Sequence, residues 1–191
     1  MKPTEPNLWG IHAGKTGDAD SLFLKKHCIA IGWTRIGDAS TIKPDRESFK
    51  AKVAALYSDA KPGAIPNYAG QLFRFVHEMK PGDLVIYPSK RDRQVHLGRI
   101  EGGYEYDAKS EIGYPHRRKV TWLKDVPRTH FSQGALYEIG SAMSLFLVKN
   151  YADEFRAALE SKAVEPMPVA QDESVAAVAE DIEETTRDFV L

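Results

Sequence analysis

Pro81 and Gly82 stand between an apolar helical stripe and an apolar strand, and they constrain the fold more tightly than any other pair in the chain. Before them, Leu72, Phe73, Val76 and Met79 recur at intervals of three and four, so they share one face of a helix. Proline cannot continue the helical hydrogen-bond ladder and glycine permits the reversal that follows, so the helix stops there. Asp83 then opens a strand through Leu84, Val85, Ile86 and Tyr87. A helix turned directly onto a buried strand requires a mixed α/β fold.

The same reading extends in both directions. Residues 8–13 and 28–33 form short apolar strands, separated by a glycine-bearing loop from Gly14 to Gly17 and a helix at 18–27 that Asp18 can cap. Residues 46–58 place Phe49, Val53, Leu56 and Tyr57 at helical spacing, with Pro44 just before the start. A second helix begins near Tyr68. After residues 84–87, residues 95–101 and 118–123 read as further antiparallel strands, which implies a small curled sheet. Residues 140–148 are apolar and fit either strand or helix, whereas 151–162 form a short helix. Beyond that the pattern breaks: 166–170 resembles a linker, and helical character resumes at 180–191. No internal repeat is present.

At 191 residues, the chain supports one domain with a single core, assigned here to residues 1–165. No apolar run approaches a membrane span and the N-terminus has no signal-peptide core, so a cytoplasmic protein without membrane contact is expected. One cysteine, Cys28, excludes an internal disulfide and a cysteine-based zinc site, and its apolar neighbours mark it as a buried, inert thiol. The net charge of −1 conceals an asymmetry: residues 166–191 carry seven acidic residues against one arginine, leaving the remainder at +5. Residues 87–130 hold ten Lys or Arg against six Asp or Glu, a distribution compatible with a polyanionic partner or with a solvated hairpin surface.

Catalytic patterns are incomplete. Glu78 and Lys80 have the Glu-x-Lys spacing of metal-dependent nucleases, but they lie at a helix end rather than on a strand beside another carboxylate. Gly14, Lys15 and Thr16 match the end of a phosphate-binding loop, yet Trp9 occupies the position of its first glycine. The six histidines lack metal-ligand spacing, and no serine sits in a nucleophile elbow. The expectation is a binding module with no catalytic residue, metal or cofactor. What remains is a mixture of Trp9, Trp33, Tyr68, Tyr87, Tyr104, Tyr106, Tyr114 and Trp122 with amides, hydroxyls and arginines. Such a mixture suits an extruded or single-stranded base, which stacks on an aromatic face while polar groups read its edge. Ordinary core packing is the competing explanation for Trp9 and Trp122.

Asn67, Tyr68, Ala69, Gly70 and Gln71, the helix that follows, Met79 to Asp83, and Leu84 to Ser89 together resemble the core motif of EVE domains, relatives of YTH domains within the PUA-like superfamily. The chain departs from that pattern at Ala69, Gly70 and Pro88. The resemblance implies a PUA-like fold, a mostly antiparallel, partly closed β-barrel flanked by helices. Independently, Trp9 to Gly14, Cys28 to Trp33, and Ile182 to Leu191 resemble the N-terminal region of Mrr-like, modification-dependent (type IV) restriction endonucleases. That likeness implies that 166–191 is an acidic linker and the start of a helix leading to a C-terminal nuclease domain. The expected partner is double-stranded DNA containing a modified base. Trp33, Tyr68 and Tyr87 would form an aromatic cage, with Asn67, Gln71 and Ser89 as edge readers. Lys15, Lys90, Arg91, Arg93, Arg117, Arg118 and Lys119 would grip phosphates. A nucleotide-sensing domain and a YTH-like RNA reader are the alternatives.

Overall fold

The computed structural model describes residues 5–110 and 112–161. The linker and helix expected over 166–191 lie outside the described residues. Seven strands, β1 (Leu8–Ile11), β2 (Cys28–Ile31), β3 (Leu84–Pro88), β4 (Gln94–Ile100), β5 (Glu105–Tyr106), β6 (His116–Pro127) and β7 (Leu145–Leu147), form one sheet. Their order is β2-β6-β4-β3-β1-β7, with β5 also paired to β6. All pairs are antiparallel except β1 with β3, where Leu8 stands opposite Leu84.

β6 makes the sheet curl. Its first half pairs with β2, from Ile31 opposite His116 to Cys28 opposite Lys119, and its second half pairs with β4. A register shift at Leu97 and Gly98 interrupts the β4–β6 ladder, and such an irregularity bends and twists a strand. The result is a half-barrel. Its terminal strands β2 and β7 do not pair among the described residues, so a seam stays open between them.

Both faces of the sheet are covered at β1 and β3, which explains why these strands are nearly continuous apolar runs. Strand alternation sends Trp9, Ile11, Val85 and Tyr87 into one core, and Leu8 and Ile86 into the other. The first core is closed by α1 (Asp20–Lys25), α2 (Arg46–Leu56) and α3 (Ala64–Phe73) through Phe23, Phe49, Val53 and Leu72. The second is closed by α4 (Gln133–Ile139) and α5 (Ala152–Glu160) through Leu136, Ile139 and Phe155. Each fully buried aromatic or branched chain contributes about 1.5–3 kcal/mol.

Two elements begin elsewhere than the residues suggest. α3 starts at Ala64 rather than near Tyr68, because Pro66 falls in the first helical turn, where no N–H is needed. α1 starts at Asp20, and Asp18 does not cap it. α2 begins as expected, with the Asp45 carboxylate accepting the Ser48 N–H at 2.7 Å. α4 and β5 were not expected from the sequence.

The stretch around Pro81 is a structural clasp. α3 runs into a wide π-helical turn, Arg74–Glu78, before the chain reverses. The buried Arg118 guanidinium donates to the carbonyls of Phe75 (2.7 Å) and Val76 (3.0 Å), which a helix end leaves open, and to that of Gly102 (3.1 Å) after β4. Burial lowers the Arg118 pKa to about 10, opposed by the charge of Asp83. Asp83 is itself buried and accepts from the Trp9 indole at 2.9 Å and from the Asn7 and Lys80 backbones. Arg118 is therefore a core residue, not a phosphate contact as its position in a basic run suggests.

Candidate functional site

The open seam holds a cavity of about 420 Å³ lined by His12, Gly14, Lys15, Thr16, Asp18, Ala30, Ile31, Gly32, Trp33, Tyr114 and Ser144. His12 follows β1, residues 30–33 end β2 and follow it, and Ser144 precedes β7. Both ends of the strand order thus meet at one opening, where the ladder does not close. Its size suits a small organic ligand.

Trp33 is the aromatic wall. It adopts a left-handed conformation, φ 54° and ψ 54°, which costs a bulky side chain of order 1–3 kcal/mol. The chain around it over-determines this geometry. The Trp33 carbonyl accepts from the Ile36 N–H at 3.2 Å and from the His116 Nε2–H at 3.2 Å. His116 Nδ1 accepts the Tyr104 hydroxyl at 2.6 Å, and the Tyr104 oxygen accepts the Ala39 N–H at 3.1 Å. This relay needs neutral His116 with its proton on Nε2. Burial supplies the neutrality by pulling the His116 pKa below 6.5, and burial also pushes the Tyr104 hydroxyl up to about 12.

The polar wall is a tight loop. Gly14, at φ 83°, must be glycine, because a Cβ there would collide with the Asp18 carboxylate and the Tyr114 hydroxyl. That vacancy lets Tyr114 donate to Asp18 at 2.8 Å across 96 residues of sequence. Burial and the neighbouring carboxylate raise the Tyr114 pKa, so it stays a phenol and a donor. On the outer side, Lys90 Nζ donates to the Lys15 carbonyl at 2.7 Å and Arg91 Nε donates to the Gly17 carbonyl at 3.1 Å. The β3–β4 turn thereby braces the loop that carries Lys15, the cationic residue lining the cavity.

The expected cage is only partly formed. Trp33 and Tyr68 meet with ring centroids 5.6 Å apart, and Tyr57 joins Tyr68 at 6.1 Å. Tyr87 is elsewhere, buried among Phe23, His96 and Trp122. Its hydroxyl and that of Ser89 both donate to Asp20, at 2.5 and 2.7 Å, tying α1 to the end of β3. Ser89 is fully buried, so neither it nor Tyr87 faces a ligand.

Gln71 is buried as well: its Nε2 donates to Asn67 Oδ1 at 2.6 Å and its Oε1 accepts the Leu145 N–H at 3.0 Å. Gln71 thereby anchors the segment that carries Ser144, and the exposed Asn67 holds the Gln71 amide; neither is among the residues that line the cavity. Of the expected phosphate contacts, Lys15, Lys90, Arg91 and Arg93 lie on the loop or the β3–β4 turn. Arg117 braces the β5–β6 loop through Asp107 (3.0 Å), Ser110 and the Tyr114 carbonyl. Lys119 is exposed beside Glu105. His12, Asp18 and Ser144 were not foreseen. The glycines at 14 and 17 marked the loop that carries Asp18, while Ser144 lies in an apolar run that gave no signal.

An α/β half-barrel with an aromatic and polar cavity in its seam defines a pocket-bearing fold. Within that class, the chain belongs to the family described as a domain of unknown function (DUF8426), whose model matches residues 9–146 and so spans every residue that lines the cavity. No curated protein matches. Among solved structures the chain is similar to a YTH domain-containing protein, mmi1, in an RNA complex, at 6% identity over 92% of this chain and 82% of that one, with a TM-score of 0.32. Among the described residues, no helix is long and apolar enough to cross a membrane and no cluster of ligating side chains suits a metal ion.

Proposed function

We propose that this protein is a nucleic-acid reader that takes one base into the Trp33 cavity, with a modified base in DNA as the target. The observation that carries the proposal is the conjunction, in one seam, of a rigidly held indole, a polar wall and the cationic Lys15. A base would stack on Trp33, worth about 1–3 kcal/mol, with Asp18, Tyr114 and Ser144 available to its polar edge. Lys15, Lys90 and Arg91 would hold the flanking phosphates, an affinity that falls as salt rises. The motif resemblance to EVE domains supports the same reading, and the likeness to Mrr-like enzymes extends it to targeting an attached nuclease. This unit acts by binding rather than by catalysis.

The test is a binding screen of duplexes carrying different modified bases against unmodified DNA, matched RNA and free mononucleotides. Preference for one modified duplex, with a steep salt slope, is expected. Tight, salt-insensitive binding of a mononucleotide would replace the proposal with a nucleotide sensor, and preference for RNA would place the protein among RNA readers.

A further inference from the structure

We propose that Ile112 is an apolar wedge that enters the base stack where the captured base has left it, so that the target is a duplex rather than a single strand. The inference rests on the base-capture reading and adds to it a strand requirement. Four large hydrophobic side chains are exposed among the described residues: Ile112, Leu123, Tyr137 and Tyr151. Leu123 lies in the half of β6 that pairs with β4, while Tyr137 and Tyr151 belong to or border the helices of the second core. Ile112, 49% exposed, stands two residues before Tyr114, which lines the cavity.

The placement of Ile112 follows from its neighbours. Tyr114 lines the cavity, and the intervening Gly113 packs on the segment leading into Trp33, its carbonyl 3.7 Å from where a Gly32 Cβ would stand. Gly113 adopts φ 80°, a left-handed turn that reverses the chain just after Ile112. The loop is pinned at its base by the Asp107 N–H to the Pro115 carbonyl at 2.8 Å and by Arg117, which holds Asp107, Ser110 and the Tyr114 carbonyl. An aliphatic chain held out on so well-braced a loop does nothing for the core. Exposed Lys109 lies on the same loop, Lys15 lines the cavity, and Lys90 and Arg91 bond the carbonyls of Lys15 and Gly17. Extruding a base from a duplex leaves an unstacked gap, and a side chain of this kind refills it while phosphate contacts hold the strands. A single strand has no such gap to fill.

The test uses the whole chain and DNA carrying 5-methylcytosine, 5-hydroxymethylcytosine or N6-methyladenine, each as a duplex and as the same strand alone, with 2-aminopurine beside the modified base. For the preferred modification, the wild type should bind the duplex more tightly and raise 2-aminopurine fluorescence. Ile112→Ala should weaken duplex binding about 10-fold, as expected for losing an aliphatic contact, while single-strand binding changes less than about 2-fold. Ile112→Met should retain most of the duplex affinity. Equal losses on both forms, or none on either, overturn the wedge. Trp33→Ala separates the two proposals: if it leaves binding to both forms intact, base capture itself is wrong, whereas loss with Trp33→Ala but not with Ile112→Ala sinks only the wedge. Failure to bind any of the three modified DNAs in either form counts against both.

Discussion

Two sites in this molecule are built from the same ingredients, and one of them borders a cavity while the other is packed into the core. Around Trp33, an aromatic wall, a tyrosine hydroxyl and the Asp18 carboxylate border a cavity. Around Tyr87, an aromatic ring, the tyrosine and serine hydroxyls and the Asp20 carboxylate make a knot in which Tyr87 and Ser89 are buried. The difference is saturation. In the knot, both hydroxyls point at Asp20 and the rings pack on Phe23, His96 and Trp122. In the cavity, the carboxylate takes only one tyrosine, and the indole keeps a face on open space. Residue type therefore says little about recognition until the partners of each polar atom are known.

The hardest test of the contrast is Arg118, which belongs to the saturated side. Arg118→Ala should cost stability by about 3 kcal/mol or more, because three carbonyls lose their donor, and this is measured as a lower midpoint in urea unfolding. The salt slope of DNA binding, determined on the folded fraction, should not change. A shallower slope would return Arg118 to the phosphate set.

Next in size is a paired substitution. Trp33→Ala should weaken binding of the preferred oligonucleotide by about 1–3 kcal/mol. Tyr87→Phe should leave binding unchanged and lower stability by about 1 kcal/mol, the worth of one hydrogen bond to Asp20. If Tyr87→Phe impairs binding and leaves stability intact, the knot is a ligand site after all. Lys15→Gln or Lys90→Gln should each reduce the slope of log affinity against log salt by about 1.

The smallest effect concerns pH. His116 is held neutral by burial, with its pKa below 6.5, so the unfolded chain binds a proton in a range where the folded chain does not. Stability contributed by this group is present above the ordinary histidine pKa and declines as pH falls from there toward the folded value. Thermal melts between pH 7.5 and 5 should show this decline, and His116→Gln should make it shallower. Affinity should follow the same trend more weakly, since protonation breaks the bond from Tyr104 that steadies the support of Trp33.

The order of helices and strands was largely legible from Pro81 and Gly82, from the apolar periodicity of Leu72 to Met79, and from the short apolar runs at 8–13 and 28–33, because those signals are local. The site was legible in fragments. Trp33 and Lys15, expected at the ligand, line the cavity, while Gln71, Tyr87 and Ser89, expected in the same role, are buried in internal hydrogen bonds. Their chemistry suits recognition and internal cross-linking equally well. Which use prevails depends on partners 67 to 74 positions away, such as Asp20 for Tyr87 and Ser89 and Leu145 for Gln71.

By itself the sequence determined the alternation that buries both faces of the sheet, the turn that clasps α3 to β3, and the glycines that allow the 14–17 loop to close. Only the tertiary structure decided where the sheet stops pairing. The seam between β2 and β7 places His12, Trp33, Tyr114 and Ser144 around one cavity, although they come from four separate stretches of chain. Strand closure is a global property of register and curl, with no local cost or preference to record it in any one stretch.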